Sequence, residues 1–146
     1  MNNLLQVLNL NTEFKSDYGS KQALHNISFN IKEGEVLALV GESGSGKTVT
    51  SLSIMGLLPN NASIKEGEIK LFNTNKDEIN ILTLSDEKHN EIRGNEISMI
   101  FQEPMTCLNP TMTVGEQILE VILRHKKISK TNAKDEMINL LELVEI

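Results

Sequence analysis

Hydrophobic and polar residues alternate along several short stretches of the chain, and a period of two predicts β-strands. In the stretch ALHNISFNI, three apolar residues alternate with two polar ones: Ile27, Ser28, Phe29, Asn30 and Ile31. This alternation is typical of a strand with one buried face. A first apolar run covers 7–10, and further strands are predicted at GEIKLF (67–72) and at EISMIF (96–101).

A continuous aliphatic run, VLALV (36–40), follows the turn KEGE and precedes a glycine-rich loop. Runs without alternation are expected of strands that are buried on both faces. After the loop, KTVTSLSIMGLL (47–58) predicts a helix that ends before Pro59. Because strands and helices follow one another in this order, the predicted class is α/β with a mixed sheet.

Capping signals delimit the later helices. Residues 73–80 predict a polar loop, and Ser85 predicts the N-cap of a short helix that reaches about Arg93. Thr113, followed three residues later by Glu116, forms a capping-box pattern. Two helices with apolar spacing follow, and their predicted core residues are Ile118, Val121, Ile122, Ala133, Met137, Leu140, Leu141 and Val144.

Composition excludes several classes of function. The 146 residues suffice for one ordinary domain, and the net charge of -6 with a pI near 5.1 argues against non-specific nucleic-acid binding. The one cysteine excludes an internal disulfide and favours a reducing compartment. The sequence shows no signal peptide and no apolar run near the ~20 residues that span a bilayer. Any membrane role is therefore expected to be peripheral.

The glycine-rich loop matches the pattern G-x-x-x-x-G-K-[ST] at every fixed position. Its residues are Gly41, Glu42, Ser43, Gly44, Ser45, Gly46, Lys47 and Thr48. Glycines let the backbone turn its N–H groups toward phosphate oxygens, and the following helix adds the positive end of its dipole. Lys47 supplies a charge for the β- and γ-phosphates, and the Thr48 hydroxyl is placed to bind Mg²⁺. A dinucleotide loop fits less well, because it gives the Lys-Thr pair no role.

Residues further along the chain narrow the class. The segment ISMIFQEPMTCLNPTMTVGEQI (97–118) resembles ABC transporter ATPases, and more narrowly the oligopeptide/dipeptide importer group. VGESGSGKT, SLSIMGLLP and RGNEISMIFQEPM are similar to the same group, so the resemblance covers nearly the whole chain. It implies an α/β P-loop NTPase fold, an incomplete ABC nucleotide-binding domain that binds ATP with Mg²⁺. The implied domains are a RecA-like core over 1–104 and the start of a helical subdomain over 105–146.

The resemblance also assigns roles to single residues. Gln102 falls at the glutamine-loop position, where it would contact Mg²⁺ and sense the γ-phosphate. Tyr18 lies near the spacing at which the family stacks an aromatic ring on adenine; Phe14 is the alternative, and either ring could instead pack on the sheet. Cys107 replaces a small hydroxyl residue and is expected to be buried or half-buried. The histidines show no metal-ligand spacing and are expected at the surface: His25, His89 and His125.

Three motifs of the family do not occur in the sequence. They are an LSGGQ-like signature, an aliphatic strand that ends in Asp-Glu, and a later histidine that contacts the γ-phosphate. The resemblance therefore implies the N-terminal part of such a subunit, with no catalytic glutamate or switch histidine of its own. Without its central strands, this part is expected to be unstable or inactive by itself.

The leading interpretation is the ATP-binding subunit of an ABC importer that couples ATP hydrolysis to the uptake of peptides or related solutes. The implied partners are permease subunits, a second ATPase subunit in a homo- or heterodimer and, indirectly, an extracytoplasmic solute-binding protein, with no nucleic acid. The subunit would lie peripherally on the cytoplasmic face of the inner (plasma) membrane. Two alternatives stay open: a non-catalytic nucleotide-binding remnant, and a soluble ABC-type ATPase of repair or translation.

Overall fold

The computed structural model describes residues 2–73, 75, 77–101 and 107–146. The chain divides into two compact units, Met1–Glu96 and Ile97–Ile146. The domain boundary predicted after residue 104 lies outside the described residues and stays a prediction.

A four-stranded sheet organises the first unit. Its strands are β1 (Asn3–Ser16), β2 (Gly19–Lys32), β3 (Ala62–Phe72) and β4 (Glu78–Asn80). They lie in the order β2-β1-β3-β4, and every neighbouring pair is antiparallel. The predicted alternation in β2 is confirmed, since its apolar residues are half-buried and the polar ones between them are exposed. The buried apolar residues of this unit are Leu5, Val7, Leu10, Leu24, Met55, Ile69, Leu71 and Ile81.

The pairing of β1 shifts register in its middle, where the chain forms a bulge. Asn9 and Asn26 both adopt a positive φ, of 48° and 51°. Side-chain amides replace ladder hydrogen bonds here: the Asn11 side chain accepts from the Asn26 N–H at 2.9 Å and donates to the Asn9 carbonyl at 2.8 Å. On the other side of β1, Gly67 of β3 (φ 114°) lies so close to it that a side chain would meet the backbone. The sheet is therefore bent at one level across three strands.

Three helical segments complete the first unit: α1 (Lys47–Met55), a single 3-10 turn (Ile81–Thr83) and α2 (Asp86–Ile92). Ser85 caps α2 as predicted, accepting a hydrogen bond from the Lys88 N–H. The predicted end of α1 is wrong, because Gly56 adopts the left-handed conformation (φ 61°) and ends the helix three residues before Pro59. The predicted loop over 73–80 is wrong at its end, where β4 pairs with β3.

Two predicted strands are absent from the described structure. Residues 36–40 form no strand, and Val36 and Val40 are 95% and 94% exposed rather than buried on both faces. Residues 98–101 likewise form no strand, and Ile100 is 95% exposed. The physical reason is that a strand needs a partner backbone, and no described residue offers these segments a ladder of hydrogen bonds.

The second unit contains a pair of helices, α3 (Val114–His125) and α4 (Lys130–Leu143). The predicted capping box is confirmed: Glu116 N–H donates to Thr113 Oγ1 at 3.2 Å, and Thr113 N–H donates to the Glu116 carboxylate at 2.8 Å. The Glu116 carboxylate accepts from the Thr113 N–H and also from Thr113 Oγ1 at 2.8 Å, and these two hydrogen bonds lower its pKa. The core of this unit consists of Ile122, Ala133 and Met137, with Ile118, Leu119, Leu123, Ile128 and Leu141 packed around them. Three predicted core residues are instead exposed: Val121, Leu140 and Val144.

Two surface predictions are corrected. Cys107 is exposed, whereas a buried or half-buried thiol was expected. His25 is exposed as expected, but His89 and His125 are half-buried. His89 Nε2 is buried from solvent and has no hydrogen-bond partner among the described residues. His89 turns inward because α2 packs against the end of α1 at Gly56.

Candidate functional site

The glycine-rich loop leads directly into α1, and two of its three glycines adopt conformations that other residues avoid. Gly44 and Gly46 have φ values of 82° and 93°. Gly46 is the N-cap of α1, and a Cβ atom there would lie 2.6 Å from Leu24 Cδ2 and 3.2 Å from the Ala23 carbonyl oxygen. The missing side chain therefore lets the start of α1 rest on β2.

Lys47 folds back over the loop that precedes it. Its Nζ donates hydrogen bonds to the carbonyl oxygens of Gly41 and Glu42, both at 2.7 Å, and to Ser45 Oγ at 3.2 Å. The loop is tightened by a turn in which Ser45 N–H donates to the Glu42 carbonyl at 3.2 Å. The ammonium group is thus held at the loop by its own carbonyl groups.

The first turn of α1 offers donors and no opposing charge. The first N–H of the helix region that finds a carbonyl is that of Thr50, which donates to Gly46 at 2.8 Å. Within the described residues, no carbonyl accepts from the N–H groups of Lys47, Thr48 or Val49, and no acidic residue lies in this turn. Unpaired N–H groups at the positive end of a helix dipole, beside a lysine, suit phosphate oxygens. The exposed hydroxyl of Thr48 suits a divalent cation bound beside them.

The interior of α1 is weak as a helix. Hydroxyl groups bond back one turn to the main chain: Thr50 Oγ1 to Gly46, Ser51 Oγ to Lys47 and Ser53 Oγ to Val49. Such bonds compete with helix geometry and are neutral to unfavourable for it.

The far end of α1 is held by Arg93, which follows α2 and begins the stretch RGNEISMIFQEPM. Arg93 donates from Nε to the Met55 carbonyl at 2.8 Å and from Nη2 to the Gly56 carbonyl at 2.6 Å. These partners lie 38 and 37 residues away along the chain, so no local pattern marks the pairing. The signals in the sequence were a positive residue directly after a short helix and its place at the start of RGNEISMIFQEPM.

The other predicted site residues are not brought together with the glycine-rich loop in the described part of the structure. Tyr18 lies in the two-residue turn between β1 and β2, where its side chain is fully exposed. Phe14 is half-buried in β1. Gln102 lies outside the described residues. Its assignment to the metal site, like adenine stacking by Tyr18 or Phe14, stays a prediction.

The described part of the chain holds neither a cluster of metal-ligating side chains nor a membrane-spanning helix. Among the described residues, no group of three His, Cys, Asp or Glu side chains could hold a metal ion. No described helix is both long and apolar enough to cross a bilayer.

The fold and the loop define an ATP-binding cassette. The model of the ABC transporter family matches residues 24–146, and the chain belongs to this family. Among solved structures, it superposes on a dimeric ATP-binding cassette in a post-hydrolysis state bound to ADP and Pi. The TM-score is 0.76 at 25% identity, over 97% of this chain and 57% of the other.

Several curated relatives are named for peptide transport. The chain is 52% identical over 147 residues to the dipeptide transport ATP-binding protein DppD of Bacillus subtilis, covering 100% of this chain and 42% of the relative. It is 51% identical to the oligopeptide transport ATP-binding protein OppD of B. subtilis, over 98% of this chain and 39% of the relative. For OppD of Escherichia coli the identity is 43%, over 98% and 41%. The chain thus spans about two fifths of the length of these relatives.

Proposed function

We propose that residues 41–48 bind the phosphates of Mg·ATP. The observation that carries this proposal is the arrangement at the start of α1. There, within the described residues, the N–H groups of Lys47, Thr48 and Val49 have no backbone acceptor, and Gly44 and Gly46 have positive φ. Lys47 Nζ is held at the same loop. Thr48 would contribute its hydroxyl to Mg²⁺, and Gln102 would complete the metal site and sense the γ-phosphate. Tyr18, or alternatively Phe14, would stack on adenine.

Lys47 would exchange partners when the nucleotide binds. The Lys47 ammonium now donates two hydrogen bonds to neutral carbonyl oxygens. Phosphate oxygens would accept these hydrogen bonds instead, and the resulting bonds between charged groups are stronger. The loop does not need to be refolded for this exchange, because the glycine conformations and the helix start are already in place.

The proposed biological role is that of the ATP-binding subunit of a peptide importer. The names of the relatives support this role, and the family membership supports its dimeric use of ATP. The proposed partners are permease subunits, a second ATP-binding subunit and, indirectly, a solute-binding protein, at the cytoplasmic face of the membrane. ATP hydrolysis is proposed for proteins of the relatives' full length, whose further residues would orient the attacking water. The core over 1–104 and the helical subdomain over 105–146 are proposed as its two parts.

Titration of the chain with Mg·ATP tests the phosphate site. Saturable binding is expected, and Lys47→Ala should weaken it at least ~10-fold, because a charge-assisted hydrogen bond contributes about 1.5–3 kcal/mol. The matched control is Lys127→Ala, which removes an exposed lysine from the connection between α3 and α4 and should bind like the wild type. Equal binding by wild type and Lys47→Ala would refute the assignment. ATP turnover in the same samples separates a catalytic subunit from the alternative of a nucleotide-binding module.

A further inference from the structure

One side chain holds the C-terminal carbonyl groups of α1. The fork of the Arg93 guanidinium bonds two successive carbonyls, those of Met55 and Gly56, and its Nη1 reaches Asn90 Oδ1 at 3.4 Å. The last carbonyls of a helix lack partners within the helix, and they form the negative end of its dipole. A permanently charged, planar group with fixed donors satisfies both requirements at once.

The tether matters because α1 has little stability of its own. It contains nine residues, fewer than the ~12–15 that an isolated helix needs in water. Most of its residues are β-branched or carry hydroxyl groups, which lowers helix propensity. The direction of α1 therefore depends on its packing through the buried Thr50, Ser53 and Met55 and on what holds its ends, which are β2 beneath Gly46 and Arg93 at the other end.

Gly56 shows how closely α2 approaches this end. A Cβ atom at Gly56 would lie 2.8 Å from His89 Nε2 and 3.0 Å from Arg93 Nη2. The Gly56 and Leu57 N–H groups also close the helix by donating to Ser53 and Leu52, at 3.2 Å and 2.8 Å. The absence of a side chain at Gly56 is thus what allows the guanidinium to reach the carbonyls.

We propose that Arg93 is a positioning residue for the nucleotide phosphates. It acts through α1: by fixing the C-terminal end, it fixes the direction in which the N–H groups of Lys47, Thr48 and Val49 point at the opposite end. This inference rests on the proposed function of the loop. Arg93 does not itself contact phosphate.

The test compares Mg·ATP affinity with thermal stability in four chains: wild type, Arg93→Gln, Arg93→Lys and the control Arg124→Gln. Arg124 is the other arginine of the chain, exposed in the last turn of α3. Titrations are made at a temperature at which every variant is folded. Arg93→Gln should raise the Kd for Mg·ATP about 5- to 20-fold, because two charge-assisted bonds are lost. Arg93→Lys, which keeps the charge and one bond, should raise the Kd only about 2- to 4-fold, and Arg124→Gln should leave it unchanged.

A purely structural role of Arg93 would give a different result. The melting temperatures of the Arg93 variants would fall while the Kd of the folded chains stayed at the wild-type value, and that result would overturn the inference. If Arg93→Gln does not fold, Arg93→Lys decides by the same comparison. Lys47→Ala separates the two proposals: if wild type binds, Lys47→Ala does not, and Arg93 variants bind normally, only this inference fails. If wild type does not bind Mg·ATP, both fail.

Discussion

A single methyl group at Gly67 should disrupt the bend of the sheet. Gly67 has a φ of 114°, which other residues rarely adopt. An added Cβ would lie 2.7 Å from the carbonyl oxygen of Leu8, 2.8 Å from that of Asn9 and 2.8 Å from Leu10 Cα. These atoms belong to the backbone of β1, which is paired on both sides, so they cannot move aside without breaking the ladder.

The expected cost can be estimated from two terms. Backbone strain at such a φ costs about 1–3 kcal/mol, and forcing extra volume into a packed region costs about 1–3 kcal/mol more. Gly67→Ala should therefore lower the free energy of unfolding by ~2–6 kcal/mol, a large part of the ~5–15 kcal/mol that holds a domain together. Gly34 is the matched control, because its φ is 74° but nothing lies within 4 Å of an added Cβ. Gly34→Ala should cost only ~1–2 kcal/mol.

Urea unfolding followed by circular dichroism measures this difference. Wild type, Gly67→Ala and Gly34→Ala are compared at one temperature, with equal slopes of free energy against urea as the condition for a direct comparison. The reasoning is refuted if the two alanine variants lose the same stability, because the backbone contacts around Gly67 would then contribute nothing.

Three further predictions concern other parts of the chain. Val40→Asp should change the free energy of unfolding by less than ~0.5 kcal/mol, because the side chain is exposed. A loss of several kcal/mol in urea unfolding would instead support the prediction from the sequence that residues 36–40 form a buried strand. Ile122→Ala should cost ~2–4 kcal/mol, whereas Val121→Ala should cost less than ~0.5 kcal/mol; similar losses in thermal melts would contradict the core of the second unit. The lowered pKa of Glu116 means that its contribution is present above the ordinary glutamate pKa and is lost as pH falls through the lower, folded value. The helical signal should therefore fall more between about pH 5 and about pH 3 in wild type than in Glu116→Gln, and parallel curves would contradict the capping box.

Features that depend on neighbours in the sequence were predictable. Ser85 and Thr113 cap helices because each hydroxyl bonds an N–H three residues later. The alternation in β2 reports its half-buried face directly. The end of α1 was also readable in principle, since Gly56 is a stronger stop signal than Pro59, yet the aliphatic residues after it suggested continuation.

Features that depend on distant partners were not predictable. The run over 36–40 has the composition of a buried strand, but strand formation requires a second backbone, which no described residue supplies. Arg93 binds carbonyls that its own segment does not reveal. The loop motif, by contrast, was found because eight consecutive residues carry its whole geometry.

α1 is held at both ends, by β2 beneath Gly46 and by Arg93 at its C-terminal end. Nine residues span about 13 Å, so a shift of ~1 Å at the clamped end tilts the axis by about 4°. When the axis of α1 tilts, the N–H groups at its start tilt with it. A displacement of α2 would therefore change the direction of the N–H groups of Lys47 and Thr48 without contacting them. The donors of the loop are thus oriented from the opposite end of α1.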